Sequence, residues 1–407
     1  MGKIETDHTG SGEGITLSSD GTSLLLDGTA VGGGADLYAA NESSPSAQPS
    51  ATGTNAVAIG ESSTASGTNS FAFGTLSVAS GSSAFAAGYD AVSSGDQSFS
   101  FGDNVNATGS FSFCTGGGNA TASGQSSIAM GYAAVASNTN AVAIGRNTDA
   151  THSGSAAIGY GAQAVANQAI ALGDSRAAGA DSFAAAIANN TSSYGATSAN
   201  AVAIGRLNKA DGSYCVAVGG DSNLADFTYA TAIGGFGNVA NQAYATTVGS
   251  FFASSTTYGK EARASGRFSA TGDAQRGGFV LRSDTTDATA EALTTNNSTA
   301  ATTNQIILPN NSAYSFSGTI IAREQASAGS DYASWEIKGA LLRDANAAST
   351  VLGNGIQNKM YATSGASAWA IALTADTTNG GLKIQVTGAA STNIRWVATV
   401  NTSEVTY

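Results

Sequence analysis

Asn140-Ala141-Val142-Ala143-Ile144-Gly145 recurs letter for letter at Asn55 to Gly60 and at Asn200 to Gly205. Marking the last residue of every related phrase gives Gly60, Gly74, Gly88, Gly102, Cys114, Gly131, Gly145, Gly159, Gly173, Ala186, Gly205, Gly219, Gly234 and Gly249, fourteen units with a dominant step of 14 residues. A short fixed period is the signature of a solenoid, in which each unit buries its apolar face only when its neighbours stack on it. The irregular steps, 12 then 17 around Cys114 and 19 before Gly205, read as bulged or inserted loops.

Side chains alternate along a strand, so Val57 and Ile59 point to one face and Ala56 and Ala58 to the other. Both faces are apolar, as in strands covered on both sides. The large residues, Phe71/Phe73 and Phe99/Phe101 early and Val142/Ile144 or Val216/Val218 later, are expected to fill the inside of the coil. The small face, Ala56, Ala58, Ala141, Ala143, Ala201 and Ala203 with Ser98/Ser100 and Cys215/Ala217, is expected to lie against another copy of the same rod. The rest of each unit, such as Ser63-Thr64-Ala65-Ser66-Gly67, supplies a second strand and turns.

The composition suits such a repeat. Among 407 residues there are 52 Gly, only 3 Pro and only 11% charged residues. A net charge of −12 argues against a nucleic-acid partner, since phosphate binding is driven by Lys and Arg displacing counterions. No stretch approaches the roughly 18 apolar residues of a membrane-spanning helix, and Met1 to Thr6 is too polar to open a secretory signal, so no membrane insertion is expected. The same hexapeptide fits a myristoylation pattern too short to carry weight. Cys114 and Cys215 lie seven rungs apart, roughly 34 Å at the inter-strand spacing, beyond disulfide reach, and are expected to be small buried thiols.

Four segments follow from these patterns. Residues 1–54 read as an attachment segment and linker: Ile15 to Leu17 and Leu24 to Leu26 flank the turn-favouring Asp20-Gly21, and Gly32-Gly33-Gly34 with Pro45 and Pro49 mark a hinge. Residues 55–250 are the roll. Residues 251–276 form a neck in which Lys260, Arg263, Arg267 and Arg276 cluster and are expected to pair with carboxylates or carbonyls of neighbouring chains. Residues 277–407 lose the period and show alternating strands, expected to form a β-sandwich of jelly-roll type. The fold class is all-β throughout.

Groups able to carry chemistry are sparse. The two histidines, His8 and His152, sit in no nucleophile turn, and Asp103, Asp174, Asp211 and Asp221 are scattered in turns where solvated roles prevail. Gly159 to Ala164 matches a dinucleotide fingerprint only in letters, with no helix to follow. No catalytic residue, metal or cofactor is expected. Trp335, Trp369 and Trp396 alternate in step with Ile337, Ile371 and Ile394, so they read as core. Asp331, Tyr332, Asn354, Asn358 and Asn379 are the receptor-binding candidates, placed on loops.

The phrase N-A-V-A-I-G followed by S/T-x-A-x-G at this period resembles the head repeat of trimeric autotransporter adhesins of the YadA type, over about half of the chain. The resemblance implies a left-handed parallel β-roll with three chains along one axis through their small-residue strands, a roll that phage fibres share. Gly277 to Ser283 after the neck and the closing Ile394 to Ala398 resemble terminal domains of structural fibres of marine, cyanobacterial tailed phages. The resulting expectation is a non-enzymatic homotrimeric phage fibre located on the virion. Its N-terminal segment would dock to other virion proteins, and its tip would bind a host surface glycan or protein. The alternatives are a bacterial surface adhesin head and a tailspike hydrolase.

Overall fold

The computed structural model describes residues 47–185, 193–326 and 331–407, together with the backbone of four short strands between Ile4 and Ala30. Those four form an antiparallel sheet in which Thr16–Ser19 pairs with Leu24–Leu26, the hairpin expected around Asp20-Gly21. His8 and the glycines at 32–34 lie outside the described residues.

From Ser50 to Arg263 the chain is a parallel β-solenoid with two strands per turn. Each letter of the founding phrase has a conformational reason. Asn55, Asn140 and Asn200 take left-handed φ values of 56°, 57° and 56°, tolerated best by Asn among residues with a Cβ. A second left-handed residue, such as Ser62 or Asn147, turns the chain again about half a rung later. Gly145 has φ 131°, and a Cβ there would sit 1.9 Å from the Gly159 carbonyl oxygen of the next rung, so both backbone angle and stacking demand glycine.

The register corrects two details of the repeat. Gly102 pairs with Gly116 and Gly116 with Gly131, so the fifth unit ends at Gly116 rather than Cys114 and its steps are 14 and 15. Parallel pairing also continues one rung past Gly249, where Thr246 and Thr247 pair with Glu261 and Ala262. The 19-residue step is real: Phe183 pairs directly with Val202. The last rungs step by 15, and there Asn208, Asn223 and Asn238 stack as a buried ladder, each amide bonded to the next.

The inside of the roll is the small-residue face, which reverses the expected assignment. Ala141, Ala143, Ala201 and Ala203 are fully buried within a single chain, Ala58 is 9% exposed, and Ala56 packs against the same cluster. The second strands contribute Ala65, Ala79, Ala136 and Ala150 from the opposite wall. Two facing ladders joined by turns this tight are filled mostly by Ala and Ser, with Cys, Thr, Asn and the single Val105 among them. Larger side chains would push the walls apart, so Val57, Ile59 and their equivalents turn outward. Cys114 and Cys215 occupy this interior as free, buried thiols, and burial pushes each thiol up to about 11.

After Arg263 the chain reverses through a loop in which the Asp273 carboxylate accepts the backbone N–H groups of Phe268, Ser269 and Ala270 at 2.6–2.9 Å. Ala274–Thr285 then pairs antiparallel with Glu261–Arg263, making the last rung of the roll one edge of the next sheet. That sheet has five long antiparallel strands in the spatial order Ala274–Thr285, Ile394–Thr406, Ser312–Glu324, Tyr332–Arg343 and Val351–Ala362. A second sheet of Ala370–Asp376, Gly381–Thr387 and the short Glu291–Ala292 and Ile306–Ile307 accompanies it. Core residues from both sheets join in one cluster, the sandwich expected. Trp335, Trp369 and Trp396 are buried in it, with ring centroids 5.5 and 5.9 Å apart.

Candidate interaction surfaces

The outward face of the roll carries two columns of large apolar side chains. One runs in strict register from Val57 through Phe71, Phe85, Phe99 and Phe113 to Ile128 and Val142, and on to Val202 and Val216. The other includes Ile59, Phe73, Phe101, Met130, Ile144 and Ile158. Phe85, Phe99 and Phe113 stack nearly parallel at 4.7 and 5.2 Å, a spacing set by the rungs themselves. Their side chains stand in solvent within the described residues, Phe71 40% and Phe101 57% exposed. Three residues of strand, about 10 Å, by roughly fourteen rungs near 4.8 Å gives a strip of about 650–700 Å². That exceeds the roughly 300–600 Å² of the largest patch on an ordinary monomer.

Along the other flanks, aromatic side chains stack on the rung spacing. Tyr214, Tyr229, Tyr244 and Tyr258 form a ladder with centroids 5.0–5.1 Å apart. Arg146 lies between the rings of Tyr132 and Tyr160, 5.5 and 5.9 Å from their centroids. These faces of the rings and the guanidinium are already occupied by one another, which makes both arrays braces of the roll.

At the junction three of the four basic residues, Lys260, Arg267 and Arg276, meet groups of their own chain. Lys260 stands in the interior column that carries Ala230 and Ala245 in the preceding rungs, and it is 2% exposed. Its ammonium leaves the end of the roll to meet the Glu404 carboxylate at 2.7 Å, which Gln275 and Thr402 also bond at 2.7 and 2.6 Å. Burial and the Glu404 charge hold the neighbouring Tyr314 hydroxyl well above the usual phenol range. Arg267 lies 3.6 Å over the Phe252 ring, and Arg276 reaches Glu261 at 3.9 Å. Arg263 and Arg276 stand opposite each other in the ladder and line a cleft of about 640 Å³.

The five receptor candidates are not brought together. Asp331 accepts a hydrogen bond from Thr363 at 2.5 Å, and Tyr332 stacks on Tyr361 at 5.1 Å, where their mutual hydrogen bond raises the Tyr332 hydroxyl. Asn354 and Asn358 lie in the edge strand Val351–Ala362 and not on a loop, a strand exposed on both faces along nearly its whole length. Asn379 closes a turn on Asp376: burial alone would raise that carboxyl, but hydrogen bonds from Asn379 and Thr378 outweigh it and hold the group below its usual range. His152 bonds its neighbours Thr151 and Ser155, while Asp211 pairs with Lys209 at 2.6 Å, Asp221 with Arg206, and Asp103 accepts from Asn104.

The outward face of the roll continues into the tip, its columns ending on Glu261 and Arg263. Glu261 and Arg263 pair with Gly278 and Arg276, so the outward face of the last rung and the outer face of the five-stranded sheet are one surface. Across that sheet, one row reads Arg282, Val397, Ile321, Ser334 and Tyr361, and the row nearest the chain end reads Ala274, Val405, Ala313, Leu342 and Val351.

No curated protein matches the sequence. Among solved structures, the tailspike gp49 of Acinetobacter baumannii bacteriophage Fri1, a capsular polysaccharide depolymerase, aligns at 8% identity and TM-score 0.21 over 86% of this chain and 65% of its own. The tailspike of Acinetobacter phage vB_ApiP_P1 aligns at 10% identity and TM-score 0.20 over 85% and 62%. The chain thus spans just under two thirds of the length of these tailspikes, and likenesses this slight transfer neither fold nor activity. The YadA head domain repeat matches residues 51–77, 79–104, 117–148, 153–175 and 196–222, about a third of the chain and all within the roll. The repeating unit of this solenoid is a YadA-like head repeat.

Proposed function

We propose that the protein is a homotrimeric adhesive fibre of a tailed bacteriophage, with the roll as shaft, the N-terminal sheet as its attachment to other virion proteins and the sandwich as the host-binding tip. The observation that carries this reading is the pair of outward apolar columns. They are too long to be left in water and fit only a partner of the same period and length, which a second and third copy supply. Each large side chain withdrawn from water contributes about 1.5–3 kcal/mol, so a contact repeated over every rung favours association strongly. Three tips on one shaft then convert weak contacts into avidity. The fibre works by binding, with no catalytic step.

A bacterial surface adhesin head is the second reading, favoured by the match of the roll to the YadA head domain repeat. Sedimentation of the purified chain tests assembly: a mass of three chains is expected, and a folded monomer would refute the fibre. Gold labelling separates the two locations, with label on phage particles supporting the first reading and label on the bacterial envelope the second. Release of sugar from host polysaccharide by the purified protein would overturn the non-enzymatic reading.

A further inference from the structure

The tip holds a second cleft, of about 630 Å³, where the segment from Ala290 to Ala300 passes between the edge strand Ala274–Thr285 and the strand Gly381–Thr387. It is within the size range of ligand clefts, roughly 300–1,000 Å³. Its lining is polar and of mixed sign: Asp284, Glu291, Asn297, Thr299, Lys383 and Gln385. We infer that this cleft binds a neutral, hydroxyl-rich saccharide of the host surface, an inference that rests on the proposed adhesive function.

The carboxylates are positioned before any ligand arrives. Asn297 Nδ2 donates to Asp284 Oδ1 and Ser283 Oγ donates to Glu291 Oε2, both at 2.8 Å, leaving the second oxygen of each carboxylate to accept from a ligand. Lys383 and Gln385 project from the outward side of their strand, since Leu382, Ile384 and Val386 between them face the core. The loop that forms the far wall is fixed from beneath by Asn304, which is 2% exposed and whose amide bonds Asn296, Ser298 and Thr299 at 2.9–3.2 Å. Two acceptors, an ammonium and an amide around one space match vicinal hydroxyls, each of which donates and accepts. The paired carboxylates disfavour an acidic sugar. No aromatic ring lines the cleft, so recognition runs through hydrogen bonds and not through stacking.

Its location supports the same assignment. The outer face of the five-stranded sheet continues the outward face of the roll, and in the proposed trimer it is turned toward the other copies. Asp284 stands at the rim of that face and Lys383 and Gln385 on the opposite outer face of the sandwich, so the cleft opens at the edge between the two sheets, beside the face that a trimer covers.

The test uses the labelled full chain on an array of neutral hexose and deoxyhexose oligosaccharides and of uronate-containing ones. Neutral oligosaccharides should be bound, and Lys383→Ala/Gln385→Ala and Asp284→Asn should each weaken binding at least tenfold with tryptophan-monitored melting unchanged. Asn354→Ala/Asn358→Ala, in the strand Val351–Ala362 at the opposite edge of the five-stranded sheet, should bind as the parent does. Binding of no saccharide, of uronates alone, or undiminished binding by the cleft variants overturns the assignment. Sedimentation of the same samples keeps the outcomes apart: a trimer that ignores the array loses the cleft and keeps the fibre, whereas a monomer loses the fibre.

Discussion

Replacing Lys260 with Met removes the ammonium from a pair in which both side chains are almost completely buried, 2% and 0% exposed. Glu404 keeps its bonds from Gln275 and Thr402 but loses its counter-charge, and an uncompensated buried charge costs about 3–5 kcal/mol. A tip of about 130 residues unfolds with an entropy near 2.1 cal/mol/K per residue, about 0.28 kcal/mol/K in all, so the loss corresponds to a fall of roughly 11–18 °C in its melting temperature. The assay is built in: all three tryptophans are buried in the sandwich, so their fluorescence follows the tip and is silent to the roll. Glu404→Gln should cost a similar amount by stranding the ammonium. The double variant Lys260→Met/Glu404→Gln should recover most of the stability, because two neutral groups replace the pair. Single variants that melt within about 3 °C of the parent, or a double variant equal to the sum of the singles, would refute the coupling of roll to tip through this pair.

Three further outcomes follow from the roll. Ala143→Leu, inside, should overpack the rung and destabilise the roll by about 1–3 kcal/mol, seen as a lower melting temperature in circular dichroism, whereas Ile144→Ser, outside, should leave the fold intact and weaken association by about 1.5–3 kcal/mol per chain, seen as trimer dissociating at a higher concentration in sedimentation. Gly145→Ala should destabilise far more than Ile144→Ala, since its Cβ would meet the next rung's carbonyl oxygen at 1.9 Å; equal melting curves would contradict that stacking. The thiols of Cys114 and Cys215, pushed up to about 11 by burial, are protonated in the fold at pH values where an unfolded thiol, near 8.5, has ionised. Their contribution is therefore complete below about pH 8.5 and lost as pH rises toward 11, so denaturant stability should fall across that window and fall less in Cys114→Ala/Cys215→Ala.

The period, the two-faced strands and the tryptophan core were legible because each is a local rule repeated or kept in phase. Asn140 and Gly145 declare the turns, and Trp335 keeps step with Ile337. Which face is inside was not legible. Val142 and Ala143 are both apolar, and the rule that large residues fill interiors fails for a roll whose walls stand so close that its interior is filled mostly by Ala and Ser. Lys260 looked like one member of a basic cluster because its column, Ala230, Ala245, Lys260, is visible only once the 15-residue step of the last rungs is known. The strand Val351–Ala362 escaped notice because an edge exposed on both faces has no alternation, and Gly353 and Gly355 imitate turns. The cleft at Asp284 and Lys383 joins residues about a hundred positions apart, a proximity that only the pairing of the sheets creates.

The continuous ladder from Ser50 to the tip also fixes how the molecule bears tension. Strands lie across the long axis of the roll, so a pull between its ends loads the hydrogen bonds between rungs lengthwise and in series. Links in series fail at the weakest, and among the described residues that is the last rung, where only Thr246 and Thr247 pair with Glu261 and Ala262 and the second ladder has already ended at Ser254–Ser255. Under load the roll should part there first, while the antiparallel strands of the tip, lying side by side over 12 or 13 residues, stay closed on whatever they hold.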